Sequence, residues 1–139
     1  MRSHVKAYGV VPYLIKDNDI KILLCRSVAS KNKWGCLKGT LNKNESAYEC
    51  AKRELFEESS LHENYFEQIN IDKDIGIWLV NADNIEDLEK YFVEDILKSN
   101  YLSWENSKVK FFSLSNLPRI KNKQENLIKE IKDFLKSKS

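Results

Sequence analysis

Apolar and β-branched residues dominate two early runs, HVKAYGVVPYLI and IKILLCRS, and the polar cluster KDND (Lys16 to Asp19) separates them. Two β-favouring runs on either side of a turn cluster predict a hairpin. A polar loop from Val28 to Lys33 follows, then a short strand around Trp34 to Leu37 and a second loop from Gly39 to Asn44. The period then lengthens. Ala47, Tyr48, Ala51 and Leu55 recur at helical spacing, which predicts a first helix from about Glu45 to Glu58. Asn44 or Ser46 suits its start, and Ser46 with Glu49 has capping-box spacing. IGIWLV reads as a buried strand. Asn84 is positioned to cap a second helix with Ile85, Leu88, Phe92 and Ile96 on one face. KVKFFSL is the last strand. After Leu117-Pro118, residues Leu127, Ile128, Ile131, Phe134 and Leu135 mark an amphipathic C-terminal helix.

Strands and helices mix along the chain without linker, repeat or low-complexity segment, so the class is α/β or α+β. The 139 residues, 42% of them hydrophobic, fit one domain spanning residues 1–139 with a real core. A net charge of +2, from 23 basic and 21 acidic residues, does not mark a general nucleic-acid binder, but it leaves room for a local basic site. The basic tail, seven Lys/Arg against three Asp/Glu from Leu117 on, reads as a solvated helix face. Three cysteines, Cys25, Cys36 and Cys50, form no C-x-x-C pair and sit in apolar stretches; buried free thiols in a reducing cytoplasm are expected. The longest mostly apolar stretch, Ala7 to Ile15, is too short to cross a membrane. Pro12 and the following KDND also separate it from a secretory leader.

The first helix concentrates acidic charge. Five glutamates (Glu45, Glu49, Glu54, Glu57 and Glu58) fall within fourteen residues, with Arg53 among them. At 100° per residue Glu58 lies about 40° from Glu54 and Glu57 about 60° on the other side, so the three carboxylates share one face. Like charges at this spacing weaken a bare helix. Arg53 offsets part of the repulsion toward Glu57 and Glu45. The remainder suits a hard divalent cation, Mg²⁺ or Mn²⁺.

The spacing itself is specific: Gly39, five residues, Glu45, seven residues, then Arg53-Glu54-Leu55-x-Glu57-Glu58, with Leu61 closing the run. This resembles the Nudix box, G-x5-E-x7-R-E-U-x-E-E-x-G-U with U aliphatic. Six fixed matches arise by chance on the order of once in ten million starts. The one departure is Ser60, where the family has a glycine just past the helix end, a place where left-handed backbone is common. The resemblance implies an α/β/α sandwich with a mixed sheet. It also implies Mg²⁺- or Mn²⁺-dependent hydrolysis of a nucleoside diphosphate linked to another group. Carried over by position, Glu54, Glu57 and Glu58 match metal ligands, Gly39 adds a backbone carbonyl, and Arg53 orients the glutamates.

The general base has three candidates. Glu54 is the box residue, Glu94 lies on the polar side of the expected second helix, and Glu105 in SWENSK precedes the last strand on a loop. Glu105 is preferred. For substrate, WGCLKG resembles the W-G-x-P-K-G of members acting on dinucleoside polyphosphates and inositol pyrophosphates, with Leu37 in place of proline. Lys38 and Arg26 are candidate phosphate contacts; Trp78 and Trp104 are candidate base-stacking rings, although IGIWLV better suits a core Trp78. A small nucleotide polyphosphate is the expected ligand, with an RNA 5′ end as a variant of it. No feature specifies an oligomeric state. A house-cleaning nucleoside triphosphate pyrophosphatase and a non-catalytic nucleotide-binding regulator remain as alternatives.

Overall fold

Asp17 and Asn18, both at positive φ, close a two-residue turn between β1 (Ala7–Lys16) and β2 (Asp19–Ser27). Such primed turns match the right-handed twist of the flanking strands. The computed structural model describes residues 7–29, 32–61, 67–69 and 75–138. The other strands and α-helices are β3 (Leu37–Gly39), α1 (Ala47–Ser59), β4 (Glu67–Ile69), β5 (Ile75–Asn81), β6 (Phe92–Val93), β7 (Ile96–Leu97), β8 (Asn106–Ser113) and α2 (Glu125–Lys138).

The strands form one mixed sheet in the order β4-β5-β1-β2-β8-β7-β6, with β1 and β5 parallel and the other pairs antiparallel. The hairpin is paired only near its turn, from Tyr13 and Ile22 to Lys16 and Asp19. Beyond that point the strands part. Short β3 takes the freed edge of β1 at Tyr8, Gly9 and Val10, while Cys25 of β2 bridges Gly35. The wedge satisfies backbone groups that the divergence would otherwise leave unpaired.

Side chains alternate across the sheet and bury in two layers. On one face Val10, Leu23, Leu37 and Val109 pack with Ala51 and Leu55 of α1. On the other, Val11, Ile22 and Leu24 pack with Leu127, Ile131 and Leu135 of α2. The α/β/α sandwich expected from the resemblance is therefore the fold.

Helix α1 begins two residues later than periodicity suggested. Ser46 is its N-cap and completes the capping box: its hydroxyl accepts from the Glu49 N–H (3.1 Å), and the Glu49 carboxylate accepts from the Ser46 N–H (3.0 Å). The strand expected at Trp34 to Leu37 is displaced to Leu37–Gly39, because Trp34 and Gly35 make only isolated bridges. Residues 82–97 do not form the expected second helix. Asn81, not Asn84, caps a single 3-10 turn through the Asp83 N–H (3.0 Å). Positive φ at Asp87 and Glu94 interrupts any helical ladder, and Ile96 is drawn into extended pairing with Lys110. Leu97 rather than Ile96 then reaches the core. Apolar spacing of three to four residues fits successive tight turns as well as a helix, and an open edge on β8 decides between them.

Candidate active site

The cleft that holds the sequence-predicted carboxylates opens where β1 and β2 part, and has a volume of about 350 Å³. One wall is α1, with Glu54, Glu57 and Glu58. Lys38 of β3, which packs beside α1, lines the cleft too, and Glu105 and Asn106 stand at the start of β8. A larger groove of about 880 Å³, with Lys33, Arg119, Lys129 and Lys132 along it, carries no acidic cluster; donor chemistry rather than size singles out the smaller cleft.

Arg53 organises the α1 wall. Its guanidinium donates to both oxygens of Glu45 (2.7 and 3.0 Å), to Glu54 (2.9 Å), to Glu57 (3.2 Å) and to the Thr40 carbonyl (2.9 Å). A planar fork of five donors suits this task as lysine would not. The hydrogen bond from Arg53, with one from the Asn42 N–H, holds Glu45 at a pKa of about 2, and the Arg53 pKa rises in return, chiefly through Glu45. Glu45 is a structural anchor ahead of the helix. Gly39 gives Glu54 room, since a Cβ there would overlap the Glu54 carboxylate.

Glu58 differs from its neighbours. Burial, then the charge of Glu54, pushes its pKa up to about 8, against a hydrogen bond from Asn106. That bond is long, 3.5 Å from Asn106 Nδ2 to Oε1, and Oε2 is buried with no partner among the described residues. Glu54 is also raised, again chiefly by burial and despite Arg53.

The other candidates separate. Glu105 lies in the turn before β8, with its N–H on Ser103 Oγ (3.1 Å) and its carbonyl accepting from the Val28 N–H (2.9 Å), so the backbone fixes it at the cleft. Glu94 occupies the β6–β7 turn and lines a different pocket with Asp95 and Lys21. Arg26 is not brought to the cleft. Its neighbours Cys25 and Ser27 face that side, and alternation sends Arg26 to the other, where it donates to Ser107 (3.0 Å) and lies 5.4 Å over the Trp34 ring. Trp78 is only 8% exposed and packs against Tyr8 and Tyr48, ring centroids 6.2 and 5.9 Å away, so its ring offers no stacking platform. Trp104, 87% exposed, is one residue from Glu105 and open to a ligand. Burial pushes all three thiols up, Cys36 to about 12 and Cys50 to about 11, so the cysteines are inert.

Asn106 and Lys121 line the cleft without having been singled out in the sequence. Asn106 follows Glu105 directly, and a polar residue opening a strand was a usable signal. Lys121 lies in the basic tail, where nothing local separates it from six other cations.

A family model, the NUDIX domain, matches residues 5–133. The chain belongs to the Nudix family. It is a pyrophosphohydrolase of the Nudix class, acting on acid anhydrides. Solved Nudix structures share the fold at low identity. An Ap4A hydrolase from C. elegans in a binary complex is 21% identical with a TM-score of 0.62, over 96% of this chain and 98% of that one. The NUDIX domain of NrtR from Shewanella oneidensis, complexed with ADP ribose, is 17% identical with a TM-score of 0.66, over 97% and 90%. A mutT/nudix family protein from Listeria innocua is 16% identical with a TM-score of 0.67, over 99% and 98%. Among the described residues no helix is long and apolar enough to cross a membrane.

Nudix hydrolases generally use divalent metals, and the residues of this cleft fit one. Oε2 of Glu58 is a buried acceptor with no hydrogen-bond partner among the described residues, and the surrounding donors are hard oxygens. Among the described residues no three ligands already converge, because Glu54 and Glu57 are turned toward Arg53.

The Ser60 departure carries a prediction. Ser60 is the C-cap, at φ 66° and ψ 2°, with its N–H on the Phe56 carbonyl (2.8 Å). Its hydroxyl donates to the Tyr101 carbonyl at a long 3.4 Å. Ser60→Gly is expected to stabilise the fold by about 1 kcal/mol, by relieving left-handed backbone in a residue with a Cβ. Turnover should change less than twofold. A lower melting temperature would show that the hydroxyl contact outweighs the strain.

Proposed function

We propose that this Nudix enzyme hydrolyses a pyrophosphate bond in a nucleoside diphosphate linked to another group, with a dinucleoside polyphosphate or a related capped 5′ end as substrate and Mg²⁺ or Mn²⁺ as cofactor. One observation supports it above others: Glu54, Glu57 and Glu58, the last with a buried oxygen that has no hydrogen-bond partner among the described residues, line one cleft with Lys38 and Lys121. Glu54, Glu57 and Glu58, with the Gly39 carbonyl, would hold the ion. When bound, the ion neutralises phosphate oxygens and makes water easier to deprotonate. Arg53 keeps Glu54 and Glu57 in register. Glu105 takes a proton from the attacking water as its oxygen bonds to phosphorus. The bridging P–O bond breaks, and Lys38 meets the charge gathering on the leaving phosphate. Trp104 stacks on a base at the rim.

The test is a substrate panel of dinucleoside polyphosphates, nucleoside triphosphates and ADP-ribose with Mg²⁺, repeated in excess chelator. A dinucleoside tetraphosphate should yield two nucleotides, and chelator should stop the reaction. Pyrophosphate released from triphosphates with dinucleotides left intact would transfer the assignment to a triphosphate pyrophosphatase. Binding without turnover across the panel would place the substrate outside these three classes.

A further inference from the structure

Trp34 and Gly35 of the WGCLKG stretch do not line the cleft. Their backbone holds the segment that follows β8. The Trp34 N–H donates to the Arg119 carbonyl (2.9 Å), and the Trp34 carbonyl accepts from the Lys121 N–H (3.0 Å). Gln124, 3% exposed, accepts the Cys36 N–H on its side-chain oxygen (2.8 Å), and a Cβ at Gly35 would overlap the same amide. The Gln124 N–H in turn occupies the Lys121 carbonyl (2.8 Å). Both backbone polar groups of Lys121 are thereby fixed, and its half-buried side chain lines the cleft with Lys38.

Among the described residues the Lys121 ammonium has no ion pair and no side-chain hydrogen bond, whereas Glu54 and Glu57 of the α1 wall answer to Arg53. A partly desolvated ammonium without an anion is a loss that an anionic ligand would reverse. The two lysines also stand at different places. Lys38 adjoins Gly39, which abuts the Glu54 carboxylate, while Lys121 is held on the Trp34 carbonyl, four residues before Lys38 in that stretch. A phosphate pair held at the carboxylate wall meets Lys38 first, and a longer chain is needed to reach Lys121.

We propose that Lys121 is a substrate-binding residue that holds a phosphate beyond the scissile pair, and that Gln124 is its positioning residue. This rests on the cleft being the pyrophosphohydrolase site and deepens it: substrates with three or more phosphates gain a contact that two-phosphate substrates lack. The test is calorimetric binding of inorganic tripolyphosphate and pyrophosphate with Mg²⁺, to wild type, Lys121→Met, Lys121→Arg, Gln124→Leu and the double variant Lys121→Met/Gln124→Leu. Lys121→Met should weaken tripolyphosphate about tenfold and pyrophosphate less than twofold, and Lys121→Arg should retain binding. Gln124→Leu should weaken tripolyphosphate similarly, with no further loss in the double variant, since coupled residues are not additive. For the nucleotide substrate, KM should rise in Lys121→Met with kcat within twofold. Unchanged tripolyphosphate binding in Lys121→Met, or equal weakening of both anions, overturns the proposal, as does a wild type that binds neither. A wild type that binds tripolyphosphate but cleaves no dinucleotide would sink only the substrate assignment above.

Discussion

Glu58→Gln is expected to abolish the stabilisation of this protein by Mg²⁺ and to lower turnover more than about a hundredfold, because even outer partners of metal ligands cost up to that much. In chelator the same substitution should act in the opposite direction. Glu58 has a folded pKa raised to about 8 by burial, from an ordinary value of 4.5. The folded state therefore holds a proton that the unfolded chain releases. The stability this contributes is fully present below pH 4.5 and is lost as pH rises through 8. Metal-free wild type should thus melt lower at pH 8 than at pH 5.5, by about 5 °C or more. Glu58→Gln carries no ionisable group there and should lose most of that slope. Melting temperatures at the two pH values, with and without Mg²⁺, together with turnover at pH 8, test both halves. A variant that keeps the wild-type rise in melting temperature on adding Mg²⁺ would show that Glu58 is not a ligand.

Glu105→Gln should behave differently, because its carboxylate comes from the β8 side of the cleft and not from α1. Shape and hydrogen bonding survive the substitution while basicity is lost. Mg²⁺ should still raise the melting temperature as in wild type, and KM should stay within about threefold. Turnover should fall about a hundredfold or more, the usual share of a general base. Raising pH should restore part of the rate, as hydroxide takes over the proton. Glu94→Gln is the control, since Glu94 lies in the β6–β7 turn beside another pocket. Wild-type turnover in both variants would leave Glu54 as the proton acceptor. Loss in Glu94→Gln alone would mean that the β6–β7 turn, not the cleft, supplies the base.

Local chemistry decided much of this molecule before it folded. The capping box at Ser46, the placement of Arg53 four residues before Glu57, and the shared face of Glu54, Glu57 and Glu58 all follow from helix geometry over one or two turns, and spacing along the chain reports them directly. The KDND turn, the alternation of β1 and β2, and the apolar stripe of α2 were legible for the same reason. Even the strain at Ser60 was readable, because a helix end imposes it within a few residues. Other features depend on partners far away in sequence. The parting of β1 from β2 needs β3 to fill the gap, and residues 82–97 follow the open edge of β8 and not their own helical spacing. Arg26 and Trp78 occupy strands whose alternation puts side chains on either layer. Which layer holds the acids was set only when α1 packed on one face of the sheet. Asn106 reaches Glu58 across 48 residues, and Lys121 reaches the cleft only because Trp34, Gly35 and Gln124 stitch two distant segments together. Periodicity measures intervals along one element; it carries no information about which neighbour that element will meet.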